Sequence, residues 1–180
     1  MQFLFSILFA GLAAQATPEP AYGLKTFREI YSSLSVVTAI KPDSQIQEQY
    51  RRTQTRLPNL GEIEEYTSVA VRTANELAAF FCQRRITEDS KIENASARWA
   101  HRQVDFSSGP RGLTDTIKQS VIGEYARLYW QREPSEIEVS LYSKMMSDLI
   151  EGLPNSPDQT QMVLRLACAS FLSSIEFLKQ

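Results

Sequence analysis

Apolar residues return every three or four positions along most of this chain, the spacing of helices with one buried side. Strand-like runs bounded by turn signals are scarce, and so is glycine, with 7 in 180 residues. The pattern predicts an all-α chain folded as a single bundle of about six helices.

Thr26 and Glu29 have the spacing of a capping box. Leu24, Phe27, Ile30, Tyr31 and Leu34 then share one side of a first helix that Lys41-Pro42 ends. Asp43 or Ser44 can cap a second, more polar helix running through Arg56. Its few apolar contacts are Ile46, Tyr50 and Leu57, and Leu57-Pro58-Asn59-Leu60-Gly61 reads as a turn. In the third helix Ala70, Val71, Ala74, Leu77, Ala78 and Phe81 form one stripe with Cys82 at its margin, and Val69 and Phe80 project from the opposite side. Apolar residues on two sides predict a central helix packed on both. The alanine row at 70, 74 and 78 would let a neighbour approach closely.

A short helix is predicted near Asp89 to His101 with Trp99 facing in, followed by a loop pinned by Phe106. A further helix starts at Thr114, carries Ile117, Val121, Tyr125 and Leu128, and ends near Trp130. Ser135 and Glu138 form a second capping-box pair for a helix through Tyr142, Met145, Met146, Leu149 and Leu153. Ser156, Pro157 and Gln159 provide a cap, a first-turn proline and a third box for the last helix. Leu164, Ala167, Cys168, Phe171, Ile175 and Leu178 share its face.

The first residues depart from this pattern. Met1 to Ala16 carries no charge, is apolar through Ala13, and ends in the small-x-small triplet Ala14-Gln15-Ala16, followed by Thr17-Pro18-Glu19-Pro20. This is the form of an export signal cleaved between Ala16 and Thr17. The run is too short to span a bilayer comfortably, which takes about 20 apolar residues. The alternative is an uncleaved signal kept as an anchor, the chain's one route to a membrane. The organisation expected is a signal peptide at 1–16, a flexible lead-in at 17–23 and a helical domain at 24–180.

A net charge of -2 and mixed acidic and basic residues give no nucleic-acid footprint. Arg51-Arg52 and Arg84-Arg85 are isolated pairs that fit solvated helix faces. His101 is the only histidine, lies between Arg98 and Arg102, and reads as a surface or loop residue rather than a metal ligand. No HExxH, GxSxG or phosphate-binding glycine loop is present. Glu62, Glu64 and Glu65, and Glu133, Glu136 and Glu138, cluster at helix starts, where they favour the helix dipole. Asn94-Ala95-Ser96 fits the glycosylation pattern of a eukaryotic secretory pathway. The chain is therefore expected to be non-enzymatic, with no catalytic residue, no cofactor and no stoichiometric metal.

Cys82 and Cys168 form neither a CxxC nor a CxxCH unit. Each lies on or beside an apolar helix face, and in an oxidising compartment the simplest reading is one disulfide between them. Two buried free thiols are the competing reading.

Several short segments carry a resemblance: Thr26-Phe27-Arg28-Glu29-Ile30, Val37-Thr38-Ala39-Ile40, Thr55-Arg56-Leu57-Pro58, Phe81-Cys82, Val104-Asp105-Phe106-Ser107 and Leu166-Ala167-Cys168-Ala169. In order and spacing the chain resembles a two-cysteine helical region of exported proteobacterial proteins, often large ones that also carry lectin-like β-sandwich domains. The resemblance implies the envelope or exterior of a Gram-negative bacterium and no catalytic residues. The function expected is a structural or interaction subunit in the periplasm or at the cell surface, binding an envelope or surface protein. The alternative is a carrier for a lipid or haem, with a cavity lined by Tyr142, Met145, Met146 and Phe171.

Overall fold

A computed structural model describes residues 23–56 and 65–179. The expected signal segment with the cleavage expected at Ala16–Thr17, Thr17 to Tyr22 of the expected lead-in, and the turn expected at Leu57–Gly61 lie outside the described residues. So do Glu62 and Glu64.

Seven α-helices occur among the described residues: α1 (Phe27–Thr38), α2 (Ser44–Thr53), α3 (Ser68–Ser90), α4 (Asp115–Tyr125), α5 (Glu136–Glu151), α6 (Pro157–Leu172) and the single turn α7 (Ile175–Leu178). They form one all-α bundle. Local chemistry sets most of the starts. Thr26 Oγ1 accepts from the Glu29 amide while the Glu29 carboxylate accepts from the Thr26 amide at 2.6 Å, the reciprocal pair read from the sequence. Asp43 Oδ1 caps α2 by accepting from the Ile46 amide, and Ser135 and Glu138 repeat the reciprocal box at α5. The third box does not form. Ser156 makes no side-chain cap bond, so Pro157, which has no amide hydrogen, carries the start of α6.

α3 is central and lies against α1, α2 and, most extensively, α6. Its buried side runs from Ala70 through Ala74, Leu77, Ala78, Phe81 and Cys82 to Ile86. The expectation that it packs on both sides is corrected: Val69, Val71 and Phe80 face solvent. Burial instead extends along one side to the polar residues Arg85 and Asp89, which a purely apolar stripe does not register.

The short helix expected near Asp89–His101 is also absent. α3 absorbs Asp89 and Ser90, and the strap from residue 91 to 114 holds only the 3-10 turns Ala95–Ala97 and Pro110–Gly112. Trp99 does not face in. It is 40% exposed and donates its indole N–H to the Val37 carbonyl at 3.2 Å. Phe106 is buried as expected. α4 continues into a π-helical turn, Ala126–Trp130, which keeps Tyr125, Ala126 and Tyr129 in the core before Gln131 ends it with a left-handed φ of 57°. α6 stops at Leu172, so Ile175 begins α7 and is exposed rather than sharing the α6 face, whereas Leu178 is buried. The Lys25 amide donates to the Leu178 carbonyl at 2.9 Å and closes the two ends of the domain together.

Candidate functional site

The densest polar chemistry lies inside the bundle, around the residue that the sequence places on the surface. His101 is 0% exposed and has the left-handed φ of 61°. Its Nδ1 lies 2.8 Å from Asp89 Oδ2 on α3, and its Nε2 lies 2.6 Å from the Tyr125 hydroxyl on α4. Both partners are equally buried. Both ring nitrogens are therefore in hydrogen bonds, one to a carboxylate and one to a phenol, with the donor at each set by the tautomer. The Tyr125 hydroxyl also stands 3.3 Å from the Leu164 carbonyl on α6. One imidazole thus joins α3, the strap, α4 and α6.

The strap is held by its backbone as well. Asp89 accepts from the amides of Trp99 at 3.1 Å and Ala100 at 3.0 Å, and Glu124 accepts from the amide of His101 at 2.8 Å. Two carboxylates on two helices therefore bind three consecutive strap amides. Arg98 is buried against the strap. It donates to the carbonyls of Ile92 and Val104 and lies over the Phe106 ring.

Arg85, expected on a solvated face, is buried and pairs with Asp89 Oδ1 at 2.9 Å. Burial alone would push the Asp89 carboxyl up. The bond from His101, the Ala100 amide and Arg85 outweigh it, and Asp89 is held below the ordinary carboxylate range. Burial pushes Tyr125 and Tyr129 well up, with the neighbouring ring and the carboxylates of Glu124 and Asp89 acting in the same direction on Tyr125.

An aspartate that orients a histidine is the arrangement of a general base. Here the second ring nitrogen meets a phenol, and all three groups are sealed from solvent. The geometry therefore does the work of a clamp: it fixes the strap across three helices. Both imidazole nitrogens are committed to hydrogen bonds. Among the described residues, no group of three or more His, Cys, Asp or Glu is gathered in a way that could hold a metal ion.

The relay continues to the cysteines. Tyr125 stacks on Tyr129, and the Tyr129 hydroxyl lies 3.4 Å from Cys168 Sγ. Cys168 is joined to Cys82 in a disulfide, with Cα atoms 5.9 Å apart, linking α6 to α3. Among the described residues there is no free cysteine.

The other sequence candidates disperse. Glu65 and Glu136 are exposed; Glu133 pairs with Arg127. Glu138 serves the α5 cap and is held to about 2 by Arg132, whose guanidinium donates to both carboxylate oxygens. Arg51 and Arg52 share Glu48 at the surface, and Arg84 pairs with Asp43. Asn94 is exposed and its Oδ1 accepts from Ser96. Of the four residues proposed to line a carrier cavity, three lie in or against the core. Met146 and Phe171 are core, Tyr142 lies with its ring centroid 4.0 Å from that of Phe171, and Trp130 stacks on the same ring. Met145 instead borders an open groove.

That groove belongs to α5. Ile137, Leu141, Met145 and Leu149 form one i, i+4 row, and its first two members are 80% and 63% exposed. Leu141, Met145 and Leu149 line an open depression of about 470 Å³ with Lys144 and Asp148. Only Met146 of this helix is fully buried.

Compared with protein-family models, with curated proteins and with solved structures, the chain matches none.

Proposed function

We propose that this protein is a non-enzymatic, exported interaction subunit, a disulfide-stapled helical module that docks to another protein through the outer face of α5. The observation that carries the reading is the apolar row on that helix. An ordered, capped helix that leaves Ile137 and Leu141 in water presents a ridge of the kind helix-in-groove recognition uses.

The rest of the molecule supports this division of labour. Its strongest polar chemistry is sealed around His101, where both ring nitrogens are in hydrogen bonds and hold the strap. The Cys82–Cys168 disulfide favours an oxidising compartment, the periplasm or cell surface, as do the apolar N-terminal segment and the resemblance to exported helical regions. Among the described residues, no helix is long and apolar enough to cross a membrane. Carriage of a lipid or haem has less support, because rings fill the space between Tyr142, Trp130 and Phe171.

The test is the size of the protein in gently prepared extracts of its native host. The wild-type chain should run in a complex larger than the free chain, and Leu141→Ser combined with Ile137→Ser should return it to the free size. Wild-type protein running at the free size would overturn the reading.

A further inference from the structure

The α5 ridge has an asymmetric border, and the asymmetry specifies a partner. On a helical projection, Leu149, Met145, Leu141 and Ile137 cover one sector of the outer face. Asp148 lies among them, and Lys144, Glu151 and Glu136 follow on one side. All four charged residues are exposed. Lys144 is already bound to Asp148, with Nζ 2.7 Å from its Oδ2. The flank therefore carries three carboxylates and one ammonium; with Asp148 paired to Lys144, Glu136 and Glu151 make up the acidic excess. On the other side the ridge meets α6, where Ser170 lies 3.9 Å from the Met145 sulfur and Leu166, one turn away, is exposed.

We propose that the α5 face binds a basic amphipathic helix of a partner protein. The partner's apolar side would lie along Ile137, Leu141, Met145 and Leu149, and its lysines or arginines would stand over Glu136, Asp148 and Glu151. This deepens the docking reading above and rests on it. An i, i+4 ridge seats in the corresponding groove of another helix in the commonest packing class. Four anchors spaced over 12 residues span about 18 Å, so a partner segment of about four to five turns covers the row. The acidic flank opposes a membrane surface, since anionic lipid headgroups carry the same sign. It also opposes a second copy laid flank to flank, since like charges would meet.

The comparison face is the groove between Leu24, Tyr66, Val71, Ile175 and Leu178. No occupant is assigned to it.

The experiment uses two fluorescent synthetic helices of about 18 residues with the same leucine face, one flanked by lysines and one by glutamates. Their binding to the full domain is read by anisotropy. The lysine peptide should bind at least about tenfold more tightly than the glutamate peptide. The preference should shrink as salt rises through the range in which exposed charges are screened. Leu141→Ser should weaken the lysine peptide about tenfold, and Glu136→Lys with Asp148→Lys and Glu151→Lys should reverse the preference. These positions are exposed, and unchanged circular dichroism verifies that each variant is folded. Equal binding of the two peptides, or no loss with Leu141→Ser, would overturn the proposal. So would dimerisation of the free protein that Leu141→Ser abolishes, or stronger binding to anionic phosphatidylglycerol vesicles than to the peptide. A native complex that depends on Leu141, with no preference for the lysine peptide, would reject the charge assignment alone. Loss of both results would reject the docking reading with it.

Discussion

The Nε2 atom of His101 and the hydroxyl of Tyr125 stand 2.6 Å apart, and neither ring is exposed to solvent. Asp89 fixes the opposite edge of the same imidazole. A polar chain this deep is stable only while each member keeps its partners, because an unpaired buried donor or acceptor bears the full desolvation cost.

Substitution within the relay should therefore destabilise in a defined order. Asp89→Asn removes the buried counter-charge of Arg85, leaving it only the exposed Glu88, and should cost about 3–5 kcal/mol. Tyr125→Phe removes one hydroxyl and should cost about 1–3 kcal/mol. His101→Ala removes the centre of the relay and should destabilise more than Tyr125→Phe, unlike a substitution at the surface or loop residue read from the sequence. Urea unfolding followed by circular dichroism gives the three values. A His101→Ala protein as stable as wild type would show that the relay is not a clamp.

The sequence discloses features whose chemistry is local. The capping pairs Thr26–Glu29 and Ser135–Glu138 act over three residues, and the Asp43 cap acts within one turn. The two cysteines were readable because each lies in or beside an apolar stripe, and packing two such stripes brings them together. His101 was not readable. Its partners stand 12 and 24 residues away, and what buries it is a left-handed turn in a strap with no periodicity. Arg98 and Arg102 beside it argued only against a bound cation, whereas Arg98 donates to backbone carbonyls in the interior. Val69 and Phe80 misled for the opposite reason: apolar type on a helix does not by itself mean burial. The α5 row was visible as Met145 and Leu149, but without tertiary contacts it could not be told from a core stripe.

Stability should fall at both ends of the pH scale. Asp89 and Glu138 have folded values below the ordinary carboxylate range. Their contribution is present above about pH 4 and is lost as pH falls through the folded values, about 2 for Glu138. Tyr125 and Tyr129 have folded values raised by burial, and Tyr66 is raised to about 12, again chiefly by burial. Their contribution is complete below about pH 10. It is lost above that pH as the unfolded chain ionises first, by about 1.4 kcal/mol per pH unit for each tyrosine. Chemical denaturation from pH 2 to 12 measures both limbs. Tyr125→Phe should flatten the alkaline limb, and an unchanged slope would contradict the assignment.

Reduction should weaken the fold without abolishing its packing pattern. The disulfide bridges residues 86 apart in sequence, and closure of a loop of that length stabilises by about 4–5 kcal/mol in the chain-entropy treatment. Cys82→Ser with Cys168→Ser should lower the unfolding free energy by a comparable amount. Thiol counting on denatured, unreduced protein from the native host should find no free thiol. Two free thiols per chain would place the protein in a reducing compartment and remove one support for export.

The most direct test of the docking account is photo-crosslinking in living cells of the native host. A benzophenone side chain is placed singly at position 137, 141 or, as a control at an exposed position of the strap, 111. The account predicts a covalent adduct with another protein from positions 137 and 141 and none from 111. No adduct from α5, or one that forms equally well from 111, would contradict it.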